Sequence, residues 1–371
     1  MYMRNALSKT AVVVIIAVVI IAVIAAIGVA LTSRAPPVTT TVTITQTQVR
    51  TEVVTASPTT TPPPKPKIKV AMILPGTIQD TGWNTMAYLG LAEIGRKYGV
   101  ETSYSERIGV ADADRVAREY IGSGFKFVIF HGGEYLDIAK KLAPEYPDVS
   151  FSVVTSDVVP DVPPNLWQLV TKYYKAYYVI GYLAGLVTKT KVVGFVGAQD
   201  FPVYRGALNA FYLGAKDANP DVKVLYAFTG SWDDPVVNKE AAEAMIAQGA
   251  DFITVCVDLG FYGVDEAAKK APKHVWVVSM DMDKYSVDPD HVITSVIINT
   301  GTGYDYMVSK ILEGQKGGHY VLDLGKGISI APIRVDIPSD IKDKVTSLVN
   351  DIIAGKVKVK EITDKIIVPK G

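Results

Sequence analysis

Short apolar runs, rich in valine and isoleucine, alternate with stretches of helical periodicity from residue 68 onward. A continuous apolar run is typical of a strand that is buried on both faces, and amphipathic helices cover such strands. The alternation therefore predicts the α/β class, with a parallel sheet between two layers of helices. The predicted strands are 68–74, 127–130, 151–154, 192–196, 252–255 and 275–278, and the predicted helices are 80–98, 111–123, 135–145, 173–187, 204–218 and 237–248.

Residues 11–32 form an apolar run without a charged side chain. As a helix rising 1.5 Å per residue, the run would span roughly 33 Å, enough to cross the hydrocarbon core of a bilayer. We therefore predict a transmembrane anchor at 11–32, preceded by a short cytoplasmic N-terminus at 1–10. A cleaved secretory signal is the alternative, because Arg4 and Lys9 precede the run, although the run is long for a signal. The lone cysteine, Cys256, is too distant to carry a lipid there.

Residues 33–67 are rich in threonine and proline and show no apolar pattern that could bury a core. This composition favours an extended, solvated backbone, so we predict a semi-rigid stalk. Such tracts often carry O-linked glycans, and an ordinary disordered linker is the alternative. A stalk that holds a domain away from a membrane is expected on the outer face. We therefore place residues 68–371 on the extracytoplasmic face of the cell membrane.

The charge balance and the cysteine content exclude several classes of protein. The 38 basic and 38 acidic residues cancel, so a nucleic-acid partner is not expected. One cysteine excludes an intrachain disulfide framework, and four scattered histidines argue against a zinc site. We expect neither a metal nor a cofactor. Residues 68–371 are too many for one typical domain and enough for two.

Polar and aromatic residues collect where the predicted strands end. The carboxyl ends of parallel strands share one edge of a sheet, which is where ligands bind. Tryptophan rings can stack on a flat molecule, and carboxylates can accept its hydrogen bonds. Because no histidine or lysine is among these residues, we predict a crevice for a flat, uncharged molecule that is rich in donors. The predicted ligand-binding residues are Asp80, Trp83, Asn84, Asp157, Trp232, Gly260 and Asp281.

Most of these residues also have a purely structural interpretation. Asp80 could cap the helix that follows it, which would not exclude a ligand contact. Trp83 lies on the apolar stripe of that helix and could belong to the core, whereas Trp232 sits in a loop with little core to join. Asp281 could make a hydrogen bond at a hinge, and Gly260 could mark a turn.

Four segments of the chain are informative as a set. They are Asp80-Thr-Gly-Trp-Asn84, Gly181-Tyr-Leu-Ala-Gly185, Thr229-Gly-Ser-Trp-Asp-Asp-Pro235 and Ser279-Met-Asp-Met-Asp283. In this order, within a match that covers residues 68–330, they resemble the basic membrane protein (PnrA-like) family. The resemblance implies an extracytoplasmic solute-binding protein of an ABC importer.

The resemblance also implies a fold. It is the type I periplasmic-binding-protein fold, with two three-layer α/β/α lobes joined by three hinge crossings. A hinge movement would close the lobes over the ligand. The crossings are expected near 169–173, 281–284 and 298–301, lobe 1 at 68–170 and 282–297, and lobe 2 at 171–281 and 298–371.

Several members of the family are nucleoside receptors that hold a purine between two aromatic rings. Their first aromatic residue and its neighbouring asparagine fall on Trp83 and Asn84. Their second aromatic residue falls on Trp232, and an acid falls on Asp281. The resemblance therefore implies an aromatic sandwich for a planar solute.

Two positions depart from the pattern of the nucleoside-binding members. Leu74 stands where those members carry an acid, and Ile298 stands where they carry a lysine that contacts the sugar. Both changes replace a polar contact with an apolar side chain. A free nucleobase, or another planar solute, is therefore a serious alternative to a nucleoside.

We expect a receptor rather than an enzyme. The sequence contains no P-loop, nucleophile elbow or HExxH motif, and Gly301-Thr-Gly303 lacks the third glycine of a dinucleotide loop. The expected partners are a nucleobase-like or nucleoside-like solute, ABC permease subunits and the membrane. The alternative is a membrane-tethered sensor that signals to a partner instead of feeding a permease.

Overall fold

The computed structural model describes residues 68–369. The predicted cytoplasmic N-terminus, anchor and stalk, at 1–10, 11–32 and 33–67, lie outside the described residues. Among the helices of residues 68–369, none combines the length and the apolar character that a bilayer span requires.

Twelve strands and nine α-helices follow one another in residues 68–369, largely in alternation. Every strand and helix predicted above is present, with its ends shifted by three residues or fewer, so the α/β class is confirmed. The strands are β1 (Lys69–Ile73), β2 (Glu101–Ser105), β3 (Phe127–Phe130), β4 (Ser150–Thr155), β5 (Leu166–Thr171), β6 (Val192–Gly197), β7 (Lys223–Phe228), β8 (Phe252–Cys256), β9 (Trp276–Asp281), β10 (Val292–Ile298), β11 (Gly318–Leu324) and β12 (Gly327–Ile330). The helices are α1 (Trp83–Tyr98), α2 (Val110–Gly122), α3 (Leu136–Glu145), α4 (Tyr174–Val187), α5 (Pro202–Ala218), α6 (Pro235–Ala247), α7 (Phe261–Lys270), α8 (Thr300–Leu312) and α9 (Ser339–Ile353).

Hydrogen bonds connect all twelve strands in the order β2-β1-β3-β4-β5-β11-β12-β10-β9-β8-β6-β7. We call β2 to β11 in this order the first half-sheet, and β12 to β7 the second half-sheet. The two half-sheets join only where β11 and β12 pair over two residues, Asp323 with Gly327 and Leu324 with Ile328. The neighbouring strands run parallel, as predicted, except that β10 and β12 are antiparallel. Two three-layer lobes were expected, and the structure shows their strands as two halves of one hydrogen-bonded twelve-strand series.

The path of the chain between the half-sheets differs from the expected one. We expected 282–297 in lobe 1 and a crossing near 281–284, but β10 pairs in parallel with β9 inside the second half-sheet. The pairing is reinforced by a 2.7 Å hydrogen bond between the Ser279 and Ser295 hydroxyls. The chain instead returns to the first half-sheet after β10, where α8 packs against α1 and β11 pairs with β5. The last crossing is the short link from β11 to β12.

Two helices of the second half-sheet, α4 and α5, pack with almost no space between their backbones. A Cβ atom on Gly181 would lie 1.9 Å from the Phe211 carbonyl oxygen, and one on Gly214 would lie 2.0 Å from the Tyr178 carbonyl oxygen. Glycine is therefore required at both positions. This contact makes α4, which follows directly on the crossing after β5, a rigid part of the second half-sheet.

Candidate functional site

The loop after β1 ends in a carboxylate that fixes the start of α1. Asp80 accepts hydrogen bonds from the backbone N–H groups of Gly82 (2.9 Å), Asn84 (2.8 Å) and Thr85 (2.9 Å). These N–H groups have no partner inside the helix, so the buried carboxylate satisfies them. Asp80 therefore acts as the cap of α1, and its contact with a ligand stays a prediction.

Asn84 is buried, and its side chain ties the same loop to α1. Its amide Nδ2 donates to Asp80 at 2.7 Å, and its Oδ1 accepts from the Gly76 N–H at 3.3 Å. The close approach leaves no room for a side chain at position 76, because a Cβ there would lie 2.4 Å from Nδ2. The first turn of α1 and the loop before it thus form one rigid unit.

Trp83, the first residue of α1, packs against a histidine that follows β3. The Trp83 indole and the His131 imidazole are stacked, with ring centroids 4.3 Å apart and planes inclined by 19°. The Trp83 Nε1–H also donates to the His131 carbonyl oxygen at 3.3 Å. His131 was not among the residues predicted for the site. The sequence feature that could have indicated His131 is its position directly after a predicted strand.

The turn between β8 and α7 holds Trp232 by its backbone. The Trp232 carbonyl oxygen accepts from the N–H groups of Asp258 (3.0 Å) and Gly260 (2.9 Å). A Cβ at position 260 would lie 2.4 Å from the Asn238 Nδ2 atom and 2.9 Å from the same Trp232 oxygen. Gly260 is therefore needed for this close approach, in agreement with its structural interpretation as a turn residue.

The start of α1 reaches across to this turn of the second half-sheet. The Trp83 N–H donates to the Asp258 Oδ1 atom at 3.3 Å, and the Tyr262 hydroxyl donates to the Thr81 hydroxyl at 3.4 Å. A Cβ on Gly82 would lie 2.3 Å from the same Asp258 oxygen. Asp258 consequently contacts the Trp83 backbone through its side chain and the Trp232 backbone through its N–H. The two predicted aromatic residues thus approach one turn from opposite half-sheets.

The Trp232 ring itself is held by the second half-sheet. Its Nε1–H donates to the Tyr204 hydroxyl at 3.2 Å, and the ring of Phe201 lies 6.1 Å away. Trp232 is half-buried and Phe201 is exposed. Tyr204 was missed as a site residue, although it stands at the start of a predicted helix.

Asp281, the last residue of β9, is the most unusual residue of the site. It is 1 % exposed, and neither carboxylate oxygen receives a hydrogen bond from an N–H or hydroxyl group within residues 68–369. Its φ of 69° is rare for a residue other than glycine and is a form of backbone strain that clusters at functional sites. Burial raises the pKa of Asp281 to about 6.

Two further titratable groups lie in this buried region. Burial, together with the charges of Asp281 and Asp80, raises the pKa of the Asp258 carboxyl well above its usual range. Lys284 is also buried, its Nζ donates to the Met280 carbonyl oxygen at 3.0 Å, and burial lowers its pKa. Lys284 was not among the residues predicted for the site either. In the described part of the chain, no group of three or more histidine, cysteine and acidic side chains is arranged to hold a metal ion.

The sequence profile described as "ABC transporter substrate-binding protein PnrA-like" matches residues 67–370. The chain belongs to this family. Within it, a purine-binding protein of Brucella abortus (strain 2308) is 30 % identical over 278 residues, which are 74 % of this chain and 77 % of that protein. The PnrA-like resemblance inferred from the sequence is thereby confirmed. Proteins of this kind bind small solutes outside the cytoplasm and work with permeases, and they are not enzymes as a class.

Two other similar proteins show how varied the roles of relatives are. The transcriptional activator protein med of Bacillus subtilis (strain 168) is 25 % identical over 290 residues, 76 % of the PnrA-like chain and 87 % of its own. A solved ABC transporter solute-binding protein from Conexibacter woesei DSM 14684 has 26 % identity and a TM-score of 0.67. The alignment covers 79 % of the present chain and 99 % of the solved one.

Asp157 is the one predicted site residue of this PnrA-like protein that stands apart from the others. Its side chain is 69 % exposed and forms an ion pair with Lys172, which also pairs with Glu361 at 2.9 Å. Lys172 follows β5 directly, where the chain crosses to the second half-sheet. Asp157 therefore contributes to the crossing region, and its contact with a ligand stays a prediction.

Leu74 and Ile298, the two departures from the nucleoside-binding pattern, are both fully buried in the apolar core of the PnrA-like fold. Leu74 follows β1 and Ile298 ends β10, so each stands at the carboxyl end of a strand. Neither side chain can form a hydrogen bond. Neither position can therefore supply the polar contact that the nucleoside-binding pattern has there.

A surface depression of about 390 Å³ lies elsewhere on the PnrA-like protein. Its Arg205 already donates to Asp200 at 2.6 Å and to the Thr363 carbonyl oxygen at 2.9 Å, so the guanidinium is occupied by the C-terminal segment. The depression contains none of the residues predicted for ligand binding. It is lined by Asp200, Arg205, Tyr226, Asp364, Lys365, Ile366 and Val368.

Proposed function

We propose that this protein is the receptor of an ABC importer that captures a planar solute, a nucleobase or nucleoside, between Trp83 and Trp232. The observation that carries the proposal is the buried carboxylate of Asp281, which accepts no hydrogen bond from an N–H or hydroxyl group of residues 68–369. A buried carboxylate without a donor costs several kcal/mol, roughly. A solute N–H or hydroxyl group would supply the missing hydrogen bond.

The two tryptophans would supply the stacking. His131 covers one face of the Trp83 indole, so the solute would use the opposite face. Base–aromatic stacking contributes about 1–3 kcal/mol per base. Two such faces and a few hydrogen bonds to acids are enough for micromolar affinity, which requires about 8 kcal/mol.

Capture would occur by closure of two three-layer lobes that correspond to the half-sheets. The three crossings of the chain would act as the hinge, as in periplasmic binding proteins. The bond from the Trp83 N–H to Asp258 joins the two half-sheets, and we propose that it is made on closure. A predicted anchor at 11–32 and a stalk at 33–67 would keep this receptor beside its permease, outside the cell.

The apolar side chains of Leu74 and Ile298 favour a solute that does not depend on its sugar. We expect a free purine base to bind the full chain at least as tightly as the corresponding nucleoside in a thermal-shift screen of bases, nucleosides, sugars and vitamins. A bound solute raises the unfolding midpoint visibly at a hundredfold excess over its Kd. A nucleoside that bound a hundredfold (about 2.7 kcal/mol) more tightly than its base would contradict this specificity.

Titration against pH tests the role of Asp281. A solute donor prefers the ionised carboxylate, and the pKa of Asp281 in the free protein is about 6. Affinity should therefore be constant above that pH and fall by up to about tenfold per unit below it. Asp281→Asn should remove this dependence along with most of the affinity, whereas Asp258→Asn is the matched control for the neighbouring acid. A pH-independent affinity in the unmodified protein would argue against Asp281 as the acceptor.

A sensor is the second candidate, because the transcriptional activator med is similar over most of both chains. Deletion of the gene separates the two roles. If the protein is an importer receptor, the deletion should abolish uptake of the solute. Returning the gene should not restore uptake when the cognate permease is absent. A sensor predicts unchanged uptake together with altered transcription in response to the solute.

A further inference from the structure

We propose that His131 is a positioning residue that fixes the plane of the Trp83 indole before a solute binds. The inference rests on the proposed use of Trp83 as an aromatic wall, and adds the residue that holds this wall in place. Three contacts join the two residues: the ring stack at 4.3 Å, the Trp83 Nε1–H bond to the His131 carbonyl oxygen, and a bond between the His131 Nε2 atom and the Trp83 carbonyl oxygen at 3.1 Å.

The hydrogen bonds determine which nitrogen of His131 carries the proton. The Trp83 carbonyl oxygen can only accept, so the Nε2 atom must donate to it. The Nδ1 atom lies 2.6 Å from the Tyr304 hydroxyl and therefore accepts from that O–H. Both ring nitrogens are thus used, and the imidazole cannot rotate without losing two buried hydrogen bonds.

Burial keeps this arrangement uncharged. His131 is fully buried, which lowers the pKa of its imidazole to about 3. Protonation would place a hydrogen on Nδ1 and abolish its acceptance from Tyr304. The stack therefore keeps the same donor and acceptor pattern across the physiological pH range.

Tyr304 links this arrangement to the rest of the first half-sheet. It is fully buried on α8, the helix that begins after the crossing from β10. Helices α8 and α1 meet at two glycines, since a Cβ on Gly90 would lie 2.4 Å from the Gly301 Cα atom. Trp83, His131 and Tyr304 therefore belong to one rigid body, which keeps the indole plane independent of lobe movement. A wall fixed in advance lowers the entropy cost of binding.

Fluorine NMR of the full chain labelled with 5-fluorotryptophan tests this inference without a ligand. The chain has four tryptophans, and Trp83→Phe identifies the Trp83 resonance by its loss. His131→Phe keeps a ring for stacking but removes both imidazole hydrogen bonds, and Tyr304→Phe removes only the hydroxyl. In each variant, the Trp83 resonance should shift and broaden relative to the unmodified protein.

Tyr135→Phe is the matched control, because it removes another buried tyrosine hydroxyl, which donates to the Ile108 carbonyl oxygen in a separate apolar cluster. It should leave the Trp83 resonance unchanged. The inference is overturned if the resonance keeps its position and width in both Tyr304→Phe and any folded His131→Phe protein. It is also overturned if Tyr135→Phe alters the resonance equally.

Affinity is the second measurement, with adenine as the probe. Tyr304→Phe should weaken adenine binding by about tenfold, the size of one hydrogen bond, while Tyr135→Phe leaves it unchanged. Equal affinities in all three proteins would overturn the inference. Failure of adenine to bind the unmodified protein would count against the proposed function alone, because the fluorine resonance still decides the role of His131.

Discussion

Trp83 and Trp232 approach the same turn from opposite half-sheets, but the protein holds them in different ways. Trp83 is stacked on the fully buried His131 and is bonded to it twice. The Trp232 indole has one hydrogen bond, to the half-buried Tyr204, and lies beside Phe201, whose side chain is 49 % exposed. The first indole is therefore held by a ring stack as well as a hydrogen bond, and the second by a hydrogen bond beside an exposed ring.

One site can therefore combine an aromatic ring that is fixed in place with one that can adjust. We call Trp83 the fixed wall and Trp232 the adjustable wall. A buried polar group that loses its partner is costly, so the contacts of Trp83 resist displacement. The Tyr204 side chain is half-buried, and its hydroxyl is the single hydrogen-bond partner of the Trp232 indole. We therefore expect the first half-sheet to set the plane of a bound solute and the second half-sheet to adapt to it.

The largest expected effect is on the fixed wall. Trp83→Ala should lower the free energy of unfolding by about 3 kcal/mol, the lower end for a buried aromatic because the indole is partly exposed. Affinity for the solute should fall as well, by about 1–3 kcal/mol. Urea denaturation and a binding titration measure the two changes. If Trp83→Ala were as stable as the unmodified protein, Trp83 would not be held more firmly than Trp232.

Trp276 provides a control for tryptophan loss outside the cleft. We expected this residue to be buried inside its strand, but it is half-buried at the start of β9, against His274. Trp276→Ala should therefore cost less stability than the 3–5 kcal/mol, roughly, of a fully buried aromatic. Its affinity for the solute should be unchanged.

The adjustable wall should show the opposite balance. Trp232→Ala should lose about 1–3 kcal/mol of affinity but less stability than Trp83→Ala, because Trp232 lacks a ring stack of the kind that Trp83 forms with His131. Quenching of tryptophan emission on solute binding should decrease in the variant. If affinity were unchanged, the aromatic sandwich would be abandoned, and the receptor proposal would rest on Asn84 and Asp281.

The smallest expected effect compares the two supporting hydroxyl groups. Tyr204→Phe removes the acceptor of the Trp232 indole, and Tyr304→Phe removes the donor to His131. Loss of the buried hydroxyl should cost about 1 kcal/mol of unfolding free energy, and loss of the Tyr204 hydroxyl should cost less. If chemical denaturation showed equal losses of unfolding free energy in the two variants, Trp83 and Trp232 would be held equally firmly.

Local sequence patterns determined the elements of this protein and the nature of its site residues. Apolar runs and helical periodicity predict strands and helices because each residue's burial follows from its spacing to near neighbours. Asp80, four residues before Asn84, could be interpreted as a helix cap for the same reason. Even the placement of Trp232 and Asp281 at strand ends followed from the end of an apolar run.

Tertiary structure alone decided which strand ends meet. His131 is 48 residues from Trp83 and 173 from Tyr304, and Asp258 is 175 from Trp83. No local period relates such positions, so neither the histidine stack nor the shared turn could be predicted. The expectation that residues 282–297 belong to lobe 1 was wrong for the same reason, because β10 pairs with β9 in the second half-sheet. Strand order is decided by long-range packing, whereas the formation of each strand is decided by its own residues.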